Sequence, residues 1–189
     1  MLNTQELKSV VLWLCTPVLR EAVEDDAQKL HDYFKILAAE PVNNTSVRRF
    51  VFEQTADDQR ELIRRYAQAA NCKLFVLDTG DEIAGMIKIT GSDNPLVAHV
   101  VELSLNVHPN YRGSGYGSML IERAIEWAAE QKTIYRVQLE TAVHNEGAYR
   151  LYSRLGFQPE GTRRRAYYVY DEANPRYVDS YLMALFLER

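Results

Sequence analysis

Val107-His-Pro-Asn-Tyr-Arg-Gly-Ser-Gly-Tyr-Gly-Ser118 is the stretch on which the fold turns. An extended apolar run, Val100 to Val107, leads into it. A helical pattern leaves it at once, with Met119, Leu120, Ile121, Ala124, Ile125, Trp127 and Ala128 at helix spacing. Between strand and helix stand Arg112 and three alternating glycines, Gly113, Gly115 and Gly117. A glycine-rich turn at a helix N-terminus leaves backbone N–H groups unpaired and aimed at one place. The helix dipole adds positive potential there, and the missing Cβ atoms let a bulky anion approach. Arg112 brings a guanidinium that can fork onto phosphate oxygens. The segment reads as a phosphate or pyrophosphate cradle. Its donors are the amides of Arg112, Gly113, Ser114, Gly115, Tyr116 and Gly117, with Ser118 at the helix start.

Spacing narrows the kind of cradle. A Walker loop requires Lys-Ser or Lys-Thr after its glycines, and none follows here. The dinucleotide fingerprint G-x-G-x-x-G, read from Gly113 and Gly115, needs a third glycine where Ser118 stands. Glu140, at the end of the next expected strand, mimics that fingerprint's acidic ribose ligand, but no succession of parallel strands surrounds the unit.

Outward from the cradle, Val18 to Ala22 reads as a first strand, and acids at Glu24 to Asp26 open a helix. Thr55 caps a second helix over Gln59 to Ala70, with Leu62, Ile63 and Tyr66 on one face. Lys73 to Leu77 and Ile83 to Ile89 form a hairpin around Asp78-Thr-Gly-Asp-Glu82, and Val97 to Val107 a long fourth strand. Gly115 to Gln131 is the core helix, followed by a strand at Tyr135 to Thr141 and a helix at Asn145 to Leu155. Two strands near 163–170 and 178–187 complete the pattern. An antiparallel meander followed by a β-α-β crossover makes an α/β (α+β) fold with a mixed, mostly antiparallel central sheet flanked by helices. The whole of 1–189 reads as one domain, with 1–15 as an N-terminal extension, either a short helix or an additional strand.

R-x-x-G-x-G, Arg112 to Gly117, after a strand ending in Val-x-Pro, resembles the acetyl-CoA-binding motif of the Gcn5-related N-acetyltransferase superfamily. Asn145-Glu-Gly-Ala148-Tyr-Arg-Leu-Tyr152-Ser-Arg-Leu155-Gly156-Phe157 is similar to the superfamily's N-x-x-A-x-x-x-Y-x-x-x-G-F segment. The C-terminal Tyr177-Val-Asp-Ser-Tyr-Leu-Met-Ala184 resembles the branch holding ribosomal-protein N-terminal and small-amine acetyltransferases.

The resemblance implies acetyl transfer from acetyl-CoA (CoA) to a primary amine, of a small molecule or a peptide N-terminus. It implies strands four and five splayed so that the pantetheine arm lies between them, bound by backbone groups of Leu105 and Val107 and by Asn145. Asn145 also suits a helix N-cap. Tyr152 becomes the general acid toward the departing thiolate, while packing on the stripe of Ala148, Leu151 and Leu155 is its alternative. Glu102, grouped by strand alternation with Val100, Ser104 and Asn106, becomes base or amine-binding carboxylate, with a sheet-face ion pair as its alternative. His108 and His144 flank these elements as titratable but solvated loop residues.

Composition agrees. The chain is 47% hydrophobic with a net charge of −4, which disfavours nonspecific nucleic-acid binding. Arg163 to Arg165 reads as a solvated face. Cys15 and Cys72 lack metal spacing and read as buried, reduced thiols of a cytoplasmic protein. The apolar run Val10 to Leu19 is too short for a membrane span. Tyrosine-rich strands near the C-terminus suit a substrate pocket, a homodimer face or plain β-propensity equally. A noncatalytic acyl-CoA-sensing module is the alternative function.

Overall fold

The computed structural model describes residues 16–40, 54–169 and 175–188. Its elements are β1 (Val18–Glu21), a short 3-10 turn (Glu24–Asp26), α1 (Ala27–Ala39), α2 (Ala56–Gln68), β2 (Lys73–Asp78), β3 (Ile83–Thr90) and β4 (Val100–Val107). A second 3-10 turn (Pro109–Tyr111) precedes α3 (Tyr116–Glu130), β5 (Arg136–Ala142), α4 (Glu146–Arg154), β6 (Gln158–Val169) and β7 (Arg176–Phe186). The succession matches the sequence reading. The expectations for residues 1–15, including Cys15, lie outside the described residues, as does Pro41 to Ser46, which the sequence reads as a loop.

Two strand boundaries differ from expectation. β4 starts at Val100 rather than Val97, because Asn94 O accepts from Val97 N–H and Val97 O from Val100 N–H, prolonging the turn at Gly91 to Pro95. β6 starts at Gln158 rather than near 163. Pro159 and Gly161 disguise its beginning, and register shifts at Pro159/Gly161 and at Arg163/Tyr167 accommodate them along an exposed strand.

The strands form one seven-stranded sheet in the order β1-β2-β3-β4-β5-β7-β6. Every neighbouring pair is antiparallel except β4 and β5. A parallel pair needs a crossover, and α3 supplies it. The mixed, mostly antiparallel architecture is therefore as expected.

Alternation along the strands builds two cores. On one face Phe75, Ile87, Val101, Leu103, Val137, Leu139 and Met183 pack with Leu120, Ile121, Ala124 and Trp127 of α3 and with Tyr152 of α4. On the other, Leu74, Val76 and Met86 pack with Leu30, Tyr33 and Leu37 of α1 and Ile63 and Tyr66 of α2. α2 begins with a capping box in which Thr55 Oγ1 accepts from Asp58 N–H and the Asp58 carboxylate accepts from Thr55 N–H. Farther along that face, Lys88 and Thr90 of β3, Glu102 and Ser104 of β4 and Gln138 of β5 line a polar cavity.

β4 and β5 are in register over four pairs, Val100↔Arg136 to Leu103↔Leu139. Beyond them Ser104 to Val107 continue against β3, and Glu140 to Ala142 against β7. The two strands part at the centre of the sheet, as the resemblance implies.

An ion network fastens β1 and α1 to the β2–β3 hairpin. Arg20 reaches both Asp26 (2.7 Å) and Asp78 (2.6 Å), and Lys29 reaches Asp78 (3.0 Å). Burial alone raises the Asp78 pKa, but donors from Arg20, the Gly80 amide and Lys29 outweigh it and hold it at about 2. A depressed carboxyl contributes stability above its unfolded pKa and loses it as pH falls through the folded value. Asp78→Asn is therefore expected to melt below the wild type at neutral pH, with the gap closing between about pH 4 and pH 2 in a thermal-melt series. A gap that persists below that window contradicts the assignment.

Candidate active site

The three glycines of the cradle do two different jobs. Gly113 (φ +79°) and Gly115 (φ +84°) adopt left-handed backbone, and a Cβ on either meets nothing within 4 Å. They are needed for conformation, and the space beside them is open. Gly117 is needed for closeness, since its Cβ would stand 3.2 Å from Leu151 of α4. Gly115 caps α3 without a side chain, and among the described residues nothing accepts from the amides of Gly113 to Ser118. Unpaired amides, open space and the dipole of a 15-residue helix converge on one exposed spot. A diphosphate fits it.

Arg112 is placed otherwise than the sequence reading supposed. Its guanidinium forks onto Glu40 just after α1 (2.7 and 2.8 Å), and its Nε donates to Val107 O (2.9 Å). The side chain braces the loop from below, and the anion-facing donors are backbone amides. His108 differs too: it is 3% exposed, not solvated. Its Nδ1 accepts from Asn110 N–H (3.2 Å), and its ring packs between Tyr33 and Tyr111. It shapes the turn leaving β4.

The parting of β4 and β5 opens beside the cradle. His108 N–H donates to Ala84 O of β3 (2.9 Å), so by alternation the backbone polar groups of Leu105 and Val107 turn toward the opening. Val107 O is held by Arg112; its N–H and the polar groups of Leu105 line the gap edge. Across the gap Asn145 starts α4 as a true N-cap, its Oδ1 accepting from Ala148 N–H (3.2 Å). The cap uses the oxygen and leaves the side-chain NH₂ as a donor.

Tyr152 and Glu102 stand on opposite faces of the sheet. Tyr152 lies in the α3–α4 core, edge-on to Phe157 with ring centroids 6.0 Å apart. Its hydroxyl makes no hydrogen bond to the described residues, and burial pushes its pKa up to about 12. Glu102 is exposed on the other face, one residue before the pairing of β4 and β5 ends. No ion pair or hydrogen bond holds it among the described residues, so no sheet-face ion pair forms within them. A substrate reaching both groups must pass through the opening.

Glu102 lines a cavity of about 630 Å³ with Lys88, Thr90, Gly91, Ser92, Ser104 and Gln138. Beside it on β5, Glu140 accepts from Ser180 Oγ and from Arg163 (2.7 Å). Arg163 stays exposed with Arg164 and Arg165, as expected of a solvated face, while pairing with Glu140. Burial, then the neighbouring Glu140, raises the Tyr167 phenol to about 12. The sequence reading missed Lys88 and Gln138. Alternation was the available signal: Lys88 shares a face with Thr90 and pairs directly with Ser104. Tyr149, which its place three residues before Tyr152 suits to packing or to the rim, packs on Tyr181 with centroids 5.0 Å apart. Cys72 is half-buried beside the α1–α2 core, away from the opening.

Comparison with known proteins agrees with this geometry. L-amino acid N-acetyltransferase AaaT of Escherichia coli K12 is 28% identical over 120 residues, covering 64% of this chain and 72% of that protein. Spermidine N(1)-acetyltransferase of the same strain is 24% identical over 147 residues, covering 76% of each. The crystal structure of a GNAT-family acetyltransferase from Streptococcus pneumoniae superposes with a TM-score of 0.83 at 28% identity, covering 90% of this chain and 99% of that one. Other structures of this fold have been solved with acetyl-CoA or CoA bound. Residues 21–157, from the last residue of β1 to the end of the Asn145–Phe157 motif, match the Acetyltransferase (GNAT) family, and the chain belongs to it.

Proposed function

We propose that this chain transfers the acetyl group of acetyl-CoA to a primary amine by direct attack in a ternary complex. The parting of β4 and β5 beside a loop of unpaired amides carries the reading, because it joins a diphosphate grip to a passage through the sheet. Acetyl-CoA supplies the activated acetyl group as a thioester. The amides of Gly113 to Gly117, with Arg112 bracing them and Ser118 at the helix start, grip its diphosphate. Leu105, Val107 and the Asn145 NH₂ line the path of its pantetheine arm.

On the α1–α2 face Glu102 receives a proton from the acceptor ammonium, directly or through water, so that a neutral nitrogen attacks. On the other face the Tyr152 hydroxyl donates to the departing sulfur. The acceptor is a small molecule or a peptide N-terminus, and the enzyme acts in the cytoplasm. The tyrosine-bearing β6–β7 hairpin, with Tyr168 and Tyr177 exposed, is the face for a homodimer.

The test is thiol release from acetyl-CoA with a panel of primary amines. Turnover by the wild type is expected, and Glu102→Gln is expected to lower kcat/KM by about 100-fold, most strongly below the pKa of the amine. No thiol release with any amine refutes the transferase reading, and an unchanged Glu102→Gln rate removes the base.

A further inference from the structure

Lys88 occupies an unusual position. It lies inside β3 between the fully buried Ile87 and Ile89, half-buried, with its side chain on the acceptor face of the sheet. Ser104 stands directly across from it on β4, and Glu102 is the diagonal neighbour. Lys88 lines the same cavity as Glu102. Neither makes an ion pair or hydrogen bond among the described residues, although diagonal neighbours on a sheet stand only about 7–8 Å apart. Burial, reinforced by Arg65 of α2 and opposed by Glu102, lowers the Lys88 pKa. A half-buried ammonium without a partner is costly to hold charged. The cavity therefore presents one unspent cation and one unspent carboxylate on neighbouring strands.

Resting on the acetyltransferase reading, we infer that the acceptor is a free α-amino acid, its amine set against Glu102 and its carboxylate bound by Lys88. The two charged ends of such a molecule flank one carbon atom, which suits two protein charges placed diagonally across adjacent strands. Val97 and Val100, at the far end of the cavity, offer an apolar wall for the side chain. A peptide N-terminus fits less well, because its neutral amide leaves the Lys88 ammonium unpaired. A polyamine fits worst, because its second cation is driven toward Lys88 and Arg65. Lys88 is thus the residue that reads the group beside the reacting nitrogen.

The experiment measures kcat/KM by thiol release for the free L-amino acids, the matching amino-acid amides and 1,4-diaminobutane, using the wild type, Lys88→Met and Lys88→Arg. In the wild type the best amino acid is expected to exceed its own amide by about 10- to 100-fold, the worth of one charge-assisted hydrogen bond. Lys88→Met should bring that ratio near unity, chiefly by raising KM for the amino acid, and Lys88→Arg should restore most of it. A wild type that prefers the amides or the diamine overturns the inference. So does a ratio that survives in Lys88→Met. Where Lys88→Met does not fold, judged by loss of the acetyl-CoA thermal shift, the wild-type ratio and Lys88→Arg decide. Thiol release without any preference for the carboxylate refutes this inference alone; no release with any amine refutes the acetyltransferase reading with it.

Discussion

Gly115→Glu is expected to abolish the thermal stabilisation that acetyl-CoA gives the wild-type chain while leaving the fold in place. Gly115 holds φ +84°, so any side chain there adds strain of about 1–2 kcal/mol. That is small beside a typical stability of roughly 5–15 kcal/mol, and the new Cβ has open space. A carboxylate at the N-terminus of α3 is also favoured by the helix dipole. The chain therefore folds, with the carboxylate seated among the amides that a diphosphate needs. Losing two or three charge-assisted bonds of about 1.5–3 kcal/mol each lowers affinity by at least about 100-fold, before like-charge repulsion is added. For the wild type, ligand at about 100 times its Kd stabilises by roughly 2.7 kcal/mol, a rise of about 5–11 °C for a chain of this size. A variant that retains that rise places the diphosphate elsewhere.

Tyr152→Phe is expected to cut acetyl transfer by about 100- to 1,000-fold while CoA binds nearly as before. The ring keeps its packing on Phe157 and the α3–α4 core, and the missing hydroxyl breaks no hydrogen bond among the described residues. Stability should therefore hold, and only the chemical step should suffer. With the phenol at about 12 and an ordinary thiol near 8.5, full proton loss from Tyr152 to the thiolate is uphill. The role proposed for the hydroxyl is therefore a hydrogen bond to the departing sulfur, and no limb of the pH–rate profile near neutrality is expected from it. Single-turnover kinetics with a CoA titration check both parts; an unchanged rate constant removes the role.

Much of this site is local in sequence, and that part was legible. Positive φ at Gly113 and Gly115, the start of α3, the cap at Asn145 and the outward face of Glu102 all follow from patterns a few residues long. What was missed is long-range. Arg112 was read as a phosphate fork because its partner Glu40 lies 72 residues away. His108 was read as a loop histidine because the rings that enclose it, Tyr33 and Tyr111, come partly from α1. Lys88 sits in a run otherwise fit for a buried strand, and only the register of β3 on β4 shows it facing the same cavity as Glu102. β6 began earlier than expected because Pro159 and Gly161 look like turn residues when their neighbour β7 is unknown.

The separation of β4 from β5 also has a mechanical meaning. Past Leu103 and Leu139 the molecule is two sheets, β1 to β4 on one side and β5, β7 and β6 on the other, hinged along four rungs. Val101, Leu103, Val137 and Leu139 stiffen that hinge from one face, while Glu102 and Gln138 leave it wet on the other. A molecule lying in the cleft bridges the halves as a missing strand would, so the loaded protein is the stiffer one. Release of the spent thiol undoes that bridging, so the four rungs are where a change in sheet stiffness is expected to reach turnover, as a viscosity series of steady-state rates would show.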